Sequence, residues 1–359
     1  MNEDTTYPVS LRSVLPVETL DLIFECLSRD ELLGALRTNS LFHRVGARVL
    51  YRSLVDLQPV QAVYLARTIA HNDLYASYVR IIEFDWGRCT VTANFLRLLN
   101  RALRQLRFIL KLSLEFSTTD STSHAASVLN GCTFSLKSFS TSIRCGSTLV
   151  RFLETQNNIT DLCLRGINAI DAAPLSPAAL PHLSHFRTVL SWPTLTANFI
   201  CNRPVESVSM SVYPHEMCSA LNVLLLSSKP IRRLTIMSFD TAEPVSLLRE
   251  IAFRLPGLEA LHLVVLPTHL YTHDMLLGMG SSLSPFKCLK YLTFIAPGSG
   301  ASVDDEGMVA VTWHEACPTL KTIILPRGMV WALTNGKWLC WDDDPSVPPY
   351  QDVTNELCS

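Results

Sequence analysis

His269 and His273 have a His-x3-His spacing that can begin a metal site. No third ligand follows nearby, so the pair reads as surface-loop histidines. In "TWHEACP", His314, Glu315 and Cys317 bring a base, an acid and a thiol close together in the sequence. Adjacent residues on a helix do not face one another, so the run does not make a catalytic pair. No GxSxG nucleophile elbow occurs. "GMGSS" at Gly278 lacks the third glycine of a phosphate turn and reads as a loop. Arg97, Arg101, Arg104 and Arg107 form a basic helical stripe, which reads as a solvated face. The eleven cysteines include no CxxC pair; Cys163, Cys201 and Cys288 sit in or beside apolar segments, and most of the eleven read as small buried hydrophobes. The expectation is a chain with no catalytic residues, no metal ligands and no cofactor.

Composition narrows the class. Apolar residues are 48% and charged residues 17%, ample for a core. A net charge of −2 argues against a nucleic-acid or anionic-membrane partner, since such binders carry a basic excess. The acidic start "MNEDTTYPVS" has no apolar signal core, and runs such as Val223 to Leu226 are too short to span a bilayer. The expected location is intracellular, in the cytoplasm, the nucleus or both, with no disulfide framework.

The first patterned element is "LPVETLDLIFECLSRDEL". Pro16 suits a first helical turn, and Leu20, Ile23, Phe24 and Leu27 fall on one helical face. Ser28 and Glu31 have capping-box spacing for a second helix carrying Leu32, Leu33, Ala35 and Leu36. A third periodic run holds Leu41, Phe42, Val45, Val49 and Leu50. Three helices within residues 15–54 bury little surface by themselves. Leu22 also points away from the stripe, so some apolar surface is left for the rest of the chain or for another protein.

These residues resemble an F-box, in the style of fungal F-box proteins. The match covers "LPVETLDLIFECLSRDELLGALRTNSLFHRVGARVLYRSL": Leu15-Pro16-x-Glu18, then Ile23-Phe24-x-x-Leu27, Asp30 to Leu32, and the late aromatic Phe42. Thr38 and Asn39 depart from it, standing where the family commonly has Val-Cys or Val-Ser. The resemblance implies docking onto a Skp-type adaptor and, through it, a cullin scaffold. Leu15, Pro16, Leu20, Ile23, Phe24, Leu27, Leu32, Leu36 and Phe42 would form the adaptor-binding set.

Beyond Leu54 the rhythm changes to apolar-x-x-apolar-x-apolar. Instances are Val79-Ile82-Phe84, Ile109-Leu112-Leu114, Ile159-Leu162-Leu164, Val205-Val208-Met210, Ile231-Leu234-Ile236, Leu258-Leu261-Leu263, Leu289-Leu292-Phe294 and Leu320-Ile323-Leu325. Poorer copies lie at Leu136-Phe139 and Leu183-Phe186. Each predicts a short strand, and helix-like segments such as "ANFLRLLNRALRQL", "SALNVLLLSSKP" and "VSLLREIAFRLPG" fill intervals. One strand and one helix per copy cannot bury their apolar side alone, so stacking is required. This pattern resembles the irregular leucine-rich repeats that follow F-boxes. It lacks their Asn or Cys ladder: Gly87, Ser117, Ile167, Phe239 and Leu266 stand at those positions.

The expected organisation is therefore α/β. A flexible N-terminus (1–10) precedes a three-helix F-box-like unit (11–54) and a connecting helical segment (55–78). An irregular leucine-rich-repeat solenoid (79–341) and an acidic, Pro-containing tail (342–359) follow. Trp338, Leu339 and Trp341 are expected to close the open end of the array. Residues between the strand leucines face outward, and the candidate target-binding set is Glu83, Asp85, Lys111, Glu115, Asp161, Arg165, Arg233, His262 and Tyr291. Ser138, Ser140, Ser142, Ser207, Ser209, Ser211, Thr235 and Thr293 make the rest of the strip small and neutral. The implied role is a non-catalytic receptor subunit of a Skp–cullin–F-box ubiquitin ligase, holding an unknown protein target. The alternative is a repeat scaffold with a degenerate F-box that joins no ligase.

Overall fold

A computed structural model describes residues 15–87, 89–117, 125–166, 174–189, 193–238, 244–265, 271–296 and 300–341. The N-terminal 1–10 and C-terminal 342–359 segments, His269, Ile167, Phe239 and Leu266 lie outside the described residues. The chain divides into two compact units, 1–136 and 137–359. Both are mixed α/β.

In the first unit, helices α1 (Val17–Glu25), α2 (Arg29–Ala35) and α3 (Ser40–Arg52) lead into strand β1 (Ser53–Leu54). Helices α4 (Pro59–His71) and α5 (Asp73–Tyr78) follow, then β2 (Ile81–Asp85), α6 (Ala93–Gln105) and β3 (Lys111–Glu115). The expected capping box forms: Ser28 Oγ accepts from the Glu31 N–H at 3.4 Å, and Glu31 Oε2 accepts from the Ser28 N–H at 2.9 Å. Leu20, Phe24, Leu32, Leu36, Val45 and Ala47 close a core between the three helices. The rest of the unit takes up part of the remaining apolar surface. Tyr51 of α3 stacks on Tyr75 of α5 at 4.6 Å between ring centroids. Strands β1, β2 and β3 pair parallel in that order.

The second unit continues with β4 (Ser138–Thr141), α7 (Ser147–Glu154), β5 (Asp161–Leu164), β6 (His185–Thr188) and α8 (Pro193–Ile200). Then come β7 (Ser207–Val212), α9 (Met217–Leu224), β8 (Arg233–Ser238), α10 (Pro244–Arg254) and β9 (Ala260–Val265). Last are α11 (His273–Met279), β10 (Tyr291–Ile295), α12 (Val303–Ala316), β11 (Thr322–Ile324), β12 (Val330–Thr334) and β13 (Lys337–Trp341). Strands β4 to β11 pair parallel with their chain neighbours. In each unit the strand order is the chain order.

Period-2 alternation explains the layering. The apolar positions read from the sequence fall in register across neighbours: Phe139, Leu162, Phe186, Val208, Leu234, Leu261, Leu292 and Ile323 form one buried row. They pack on the crossover helices, as in the Phe139–Phe152 and Phe186–Phe199 ring pairs, both at 5.5 Å. Burying each such side chain contributes about 1.5–3 kcal/mol, so the row is the main cohesive element. One helix per strand is not kept throughout. Between β5 and β6 the described residues 174–184 hold turns and no helix. There a buried arginine ties the loop: Arg203 donates from Nε to the Ala179 carbonyl and from Nη2 to the Ser176 carbonyl, at 2.8 and 2.9 Å. "GMGSS" is not a loop either. It completes α11 and a 3-10 turn, where the absence of a side chain on Gly280 lets the Trp313 ring approach.

The end of the second unit closes with a hairpin, but through another tryptophan than expected. Asn335 and Gly336, at φ 52° and 78°, supply the left-handed turn that joins β12 to antiparallel β13. Trp331 on β12 is the buried cover, lying over Gly307, where an added Cβ would meet its ring at 2.9 Å. Trp338 is half-buried beside the His314 ring, whereas Leu339 and Trp341 alternate outward and are exposed. Beneath the hairpin Glu306 is fully buried, its Oε1 accepting the Arg327 N–H at 3.1 Å; burial pushes its carboxyl pKa up.

Candidate interaction surfaces

The residues expected to dock an adaptor separate into two groups. Leu20, Phe24, Leu32 and Leu36 are buried within the three-helix core, and Leu27 and Phe42 are half-buried against it. Phe24 and Phe42 meet edge-on at 5.3 Å. These six shape the segment from inside, and the four buried ones offer no surface to a partner. Leu15, Pro16 and Ile23 are exposed, and so are Leu22 and Leu33; Leu22 is 64% exposed. Thr38 and Asn39 carry local structure. Asn39 caps α3, its side-chain oxygen accepting the Phe42 N–H at 2.8 Å, and Thr38 donates to the Ala35 carbonyl at 2.8 Å. Beside this segment, Asp21, Glu25, Arg48, Val49, Arg52, Tyr78 and Arg80 line an open groove of about 320 Å³. Its carboxylates are held by its own guanidiniums, Asp21 by Arg48 and Glu25 by Arg52.

The outward sheet residues of the first unit lean acidic. Glu83 is paired to Lys111 at 2.9 Å, Asp85 accepts the Gly87 N–H at 2.7 Å, and Glu115 adds a further carboxylate at the end of β3.

In the second unit Asp161, Arg233 and Tyr291 share one outward row with His185 and Ser207, and His262 lies in the next outward row with Arg187, Ser209, Thr235 and Thr293. Arg165 is exposed just beyond β5. Asp161 is occupied, accepting from Thr160 Oγ1 at 2.6 Å and lying 3.4 Å from His185. His262 Nδ1 meets Thr293 Oγ1 at 2.9 Å; burial and then nearby Arg233 hold its pKa below the usual imidazole value. The strip is neither neutral nor uniformly open. Ser211 and Thr293 are buried, and His185 and Arg187 belong to it. Those two were hidden in the poorer Leu183-Phe186 copy, where Thr188 takes the third apolar place. Reading that copy in register with its neighbours would have found them.

A rim at the strand starts also escaped the sequence reading. The carbonyls of Glu206, Arg232, Glu259 and Lys290 each accept two N–H groups from the next strand's start, stacking these residues side by side. Their charges alternate: Lys229 and Arg232 hold Glu206, and Arg232 and Lys290 hold Glu259, at 2.5 to 3.9 Å. The repeating residue two before each second strand apolar is the signal that marks it.

The constellations weighed for catalysis stay apart. His273 is 3.9 Å from Asp305. His314 Nδ1 is 3.2 Å from the Leu320 carbonyl, and Cys317 is buried with its thiol toward the Phe286 carbonyl. Arg97, Arg101, Arg104 and Arg107 are exposed along and beyond α6. Burial pushes the Cys132 and Cys145 thiols up to about 12 and about 11, far from the thiolate form. Among the described residues no cluster of three His, Cys, Asp or Glu side chains suits a metal ion, and no helix is long and apolar enough to cross a membrane. No protein-family model and no curated protein matches the chain.

Proposed function

We propose that this chain is a non-catalytic target receptor of a Skp–cullin–F-box ubiquitin ligase. Its three-helix segment docks a Skp-type adaptor, and its open sheet face holds a protein that is thereby brought to ubiquitin transfer. The observation that supports this most is the division of apolar residues in α1 and α2. Leu20, Phe24, Leu32 and Leu36 close the core, while Leu15, Pro16, Leu22 and Ile23 remain exposed without serving it. Exposed leucine and isoleucine clustered in so short a segment suit half of an interface. Chain-order parallel strands with one covered face agree with a repeat array whose other face is available. A doubly wound sheet would reverse its strand order.

Co-purification with a Skp-type adaptor tests the reading. Leu15→Ala with Pro16→Ala should abolish capture by the adaptor, and undiminished capture would refute docking. The second reading is a repeat scaffold outside any ligase. The departure of Thr38 and Asn39 from the F-box pattern is what raises it, and failure of the parent chain to bind purified adaptor would refute docking and leave this reading.

A further inference from the structure

Helix α9 carries more apolar residues than its inner face can take. Ala220, Leu221, Val223 and Leu224 are buried, while Leu225 and Leu226, the next in the run, turn outward past the helix end and are exposed. On the neighbouring α10, Leu247, Leu248, Ile251 and Ala252 face inward, which leaves Phe253 outside that stripe. It is 80% exposed, more than any other large apolar side chain among the described residues. One arginine joins the two helix ends. Arg254 Nε donates to Asn222 Oδ1 at 2.7 Å, and the same guanidinium lies 5.9 Å from the Phe253 ring centroid. Asn222 stands one turn before Leu225 and Leu226, so Phe253 and the two leucines form one apolar knob on the helix layer.

Two unmatched cations collar the knob. Arg249 is one turn before Phe253 on α10 and exposed. Lys287 is exposed and held beside the end of α10, its backbone N–H donating to the Pro256 carbonyl at 2.8 Å. Neither side chain has an ion-pair or hydrogen-bond partner among the described residues. The carboxylates on this end are already engaged. Glu250 is held by Arg254, and on the strand-start rim Lys229, Arg232 and Lys290 hold Glu206 and Glu259. The end of α9 and α10 is therefore apolar at its centre and positive at its border, in a chain whose net charge is −2.

We propose that this knob docks an acidic amphipathic helix of a partner protein. The apolar stripe of that helix covers Leu225, Leu226 and Phe253, and carboxylates beside the stripe reach Arg249 and Lys287. Packed helices lie about 8–10 Å apart, and apolar residues at i, i+4 and i+7 of a helix span about 10 Å, so one such stripe bridges both helix ends. Charge complementarity selects an acidic helix over a basic one. An anionic bilayer shares the chemistry but fits less well, because a polybasic membrane patch draws on about four to eight Lys or Arg. The site stands apart from the receptor reading, since neither the three-helix segment nor the sheet face contributes a residue to it.

The test uses the full chain and a fluorescein-labelled Ala-based helical peptide. It carries leucines at i, i+4 and i+7 with glutamates along both sides of that stripe, and a Gln-for-Glu counterpart is the control. Anisotropy should show tighter binding of the Glu peptide, with the preference shrinking as salt is added. Phe253→Ala should weaken binding by about tenfold, as loss of an aromatic anchor does. Arg249→Glu with Lys287→Glu should remove the preference for Glu over Gln. Met308→Ala, at another exposed apolar site of the second unit, should leave binding unchanged. Where Phe253→Ala shifts the melting curve, the exposed Arg249→Gln decides, with an expected loss of a few-fold. The proposal is overturned by equal binding of the Glu and Gln peptides, by parent-like binding of the deciding variant, or by an equal loss in Met308→Ala. Sedimentation with phosphatidylserine vesicles that depends on Phe253, in place of peptide binding, would overturn it in favour of a lipid surface.

Discussion

The three-helix segment and the open sheet face leave different things unfinished. The helices expose large apolar side chains, Leu15, Leu22, Ile23 and Leu33, around a core that is already closed. The sheet face of the second unit exposes hydroxyls, imidazoles and guanidiniums over a fully buried apolar row. Apolar surface drives association without much directional demand, whereas charged surface sets register and partner choice. Under the proposed receptor role, the contrast assigns a constant partner to the helices and a chosen one to the sheet.

The strongest blow to that comparison comes from inside the helices. Phe24→Ala removes a side chain packed on Phe42 and should cost about 3–5 kcal/mol, seen as a lower denaturation midpoint. Leu22→Ala, at an exposed site of the same helix, should move the midpoint by less than about 0.5 kcal/mol yet weaken adaptor capture. Similar stability losses for both would erase the division between core and docking residues.

The end hairpin gives a pH-dependent test of the second unit. Burial raises the Glu306 carboxyl pKa, so the folded chain keeps that proton to higher pH than the unfolded chain does. Stability from this group is fullest below the ordinary carboxylate range and falls as pH rises through the folded value. Glu306→Gln should therefore melt at a higher temperature than the parent at pH 8, with the gap narrowing toward pH 4. A gap that does not change with pH would mean that the carboxyl is not protonated in the fold.

What the sequence disclosed follows from how local each signal is. Ser28 and Glu31 lie three residues apart, so their capping box was legible, and the buried strand row was legible because its period repeats across the copies. Arg187 was missed because Thr188 breaks the apolar pattern that would have oriented it. Trp331 was missed as the cover because its burial depends on contact with Gly307 on α12, which is distant in sequence. The charge-alternating rim depends on which strand starts become neighbours, and no single copy shows that. Local chemistry reads directly from the chain; cross-strand charge placement needs the register.

The smallest expected effect bears on Thr38 and Asn39, where the F-box pattern is least well matched. If their polarity marked a failed docking segment, exchanging them for apolar residues would improve adaptor capture. The hydrogen bonds say otherwise: Asn39 satisfies an N–H in the first turn of α3, and Thr38 bonds the Ala35 carbonyl at the end of α2. Asn39→Ala should cost about 1 kcal/mol as a lost N-cap, and Thr38→Val should change stability by less than about 0.5 kcal/mol at an exposed site. Neither should raise adaptor affinity. A denaturation series read beside adaptor binding separates the two accounts. A variant that loses stability while gaining adaptor affinity would make these residues a docking defect; loss of stability alone leaves them as the turn that sets α3 against α2.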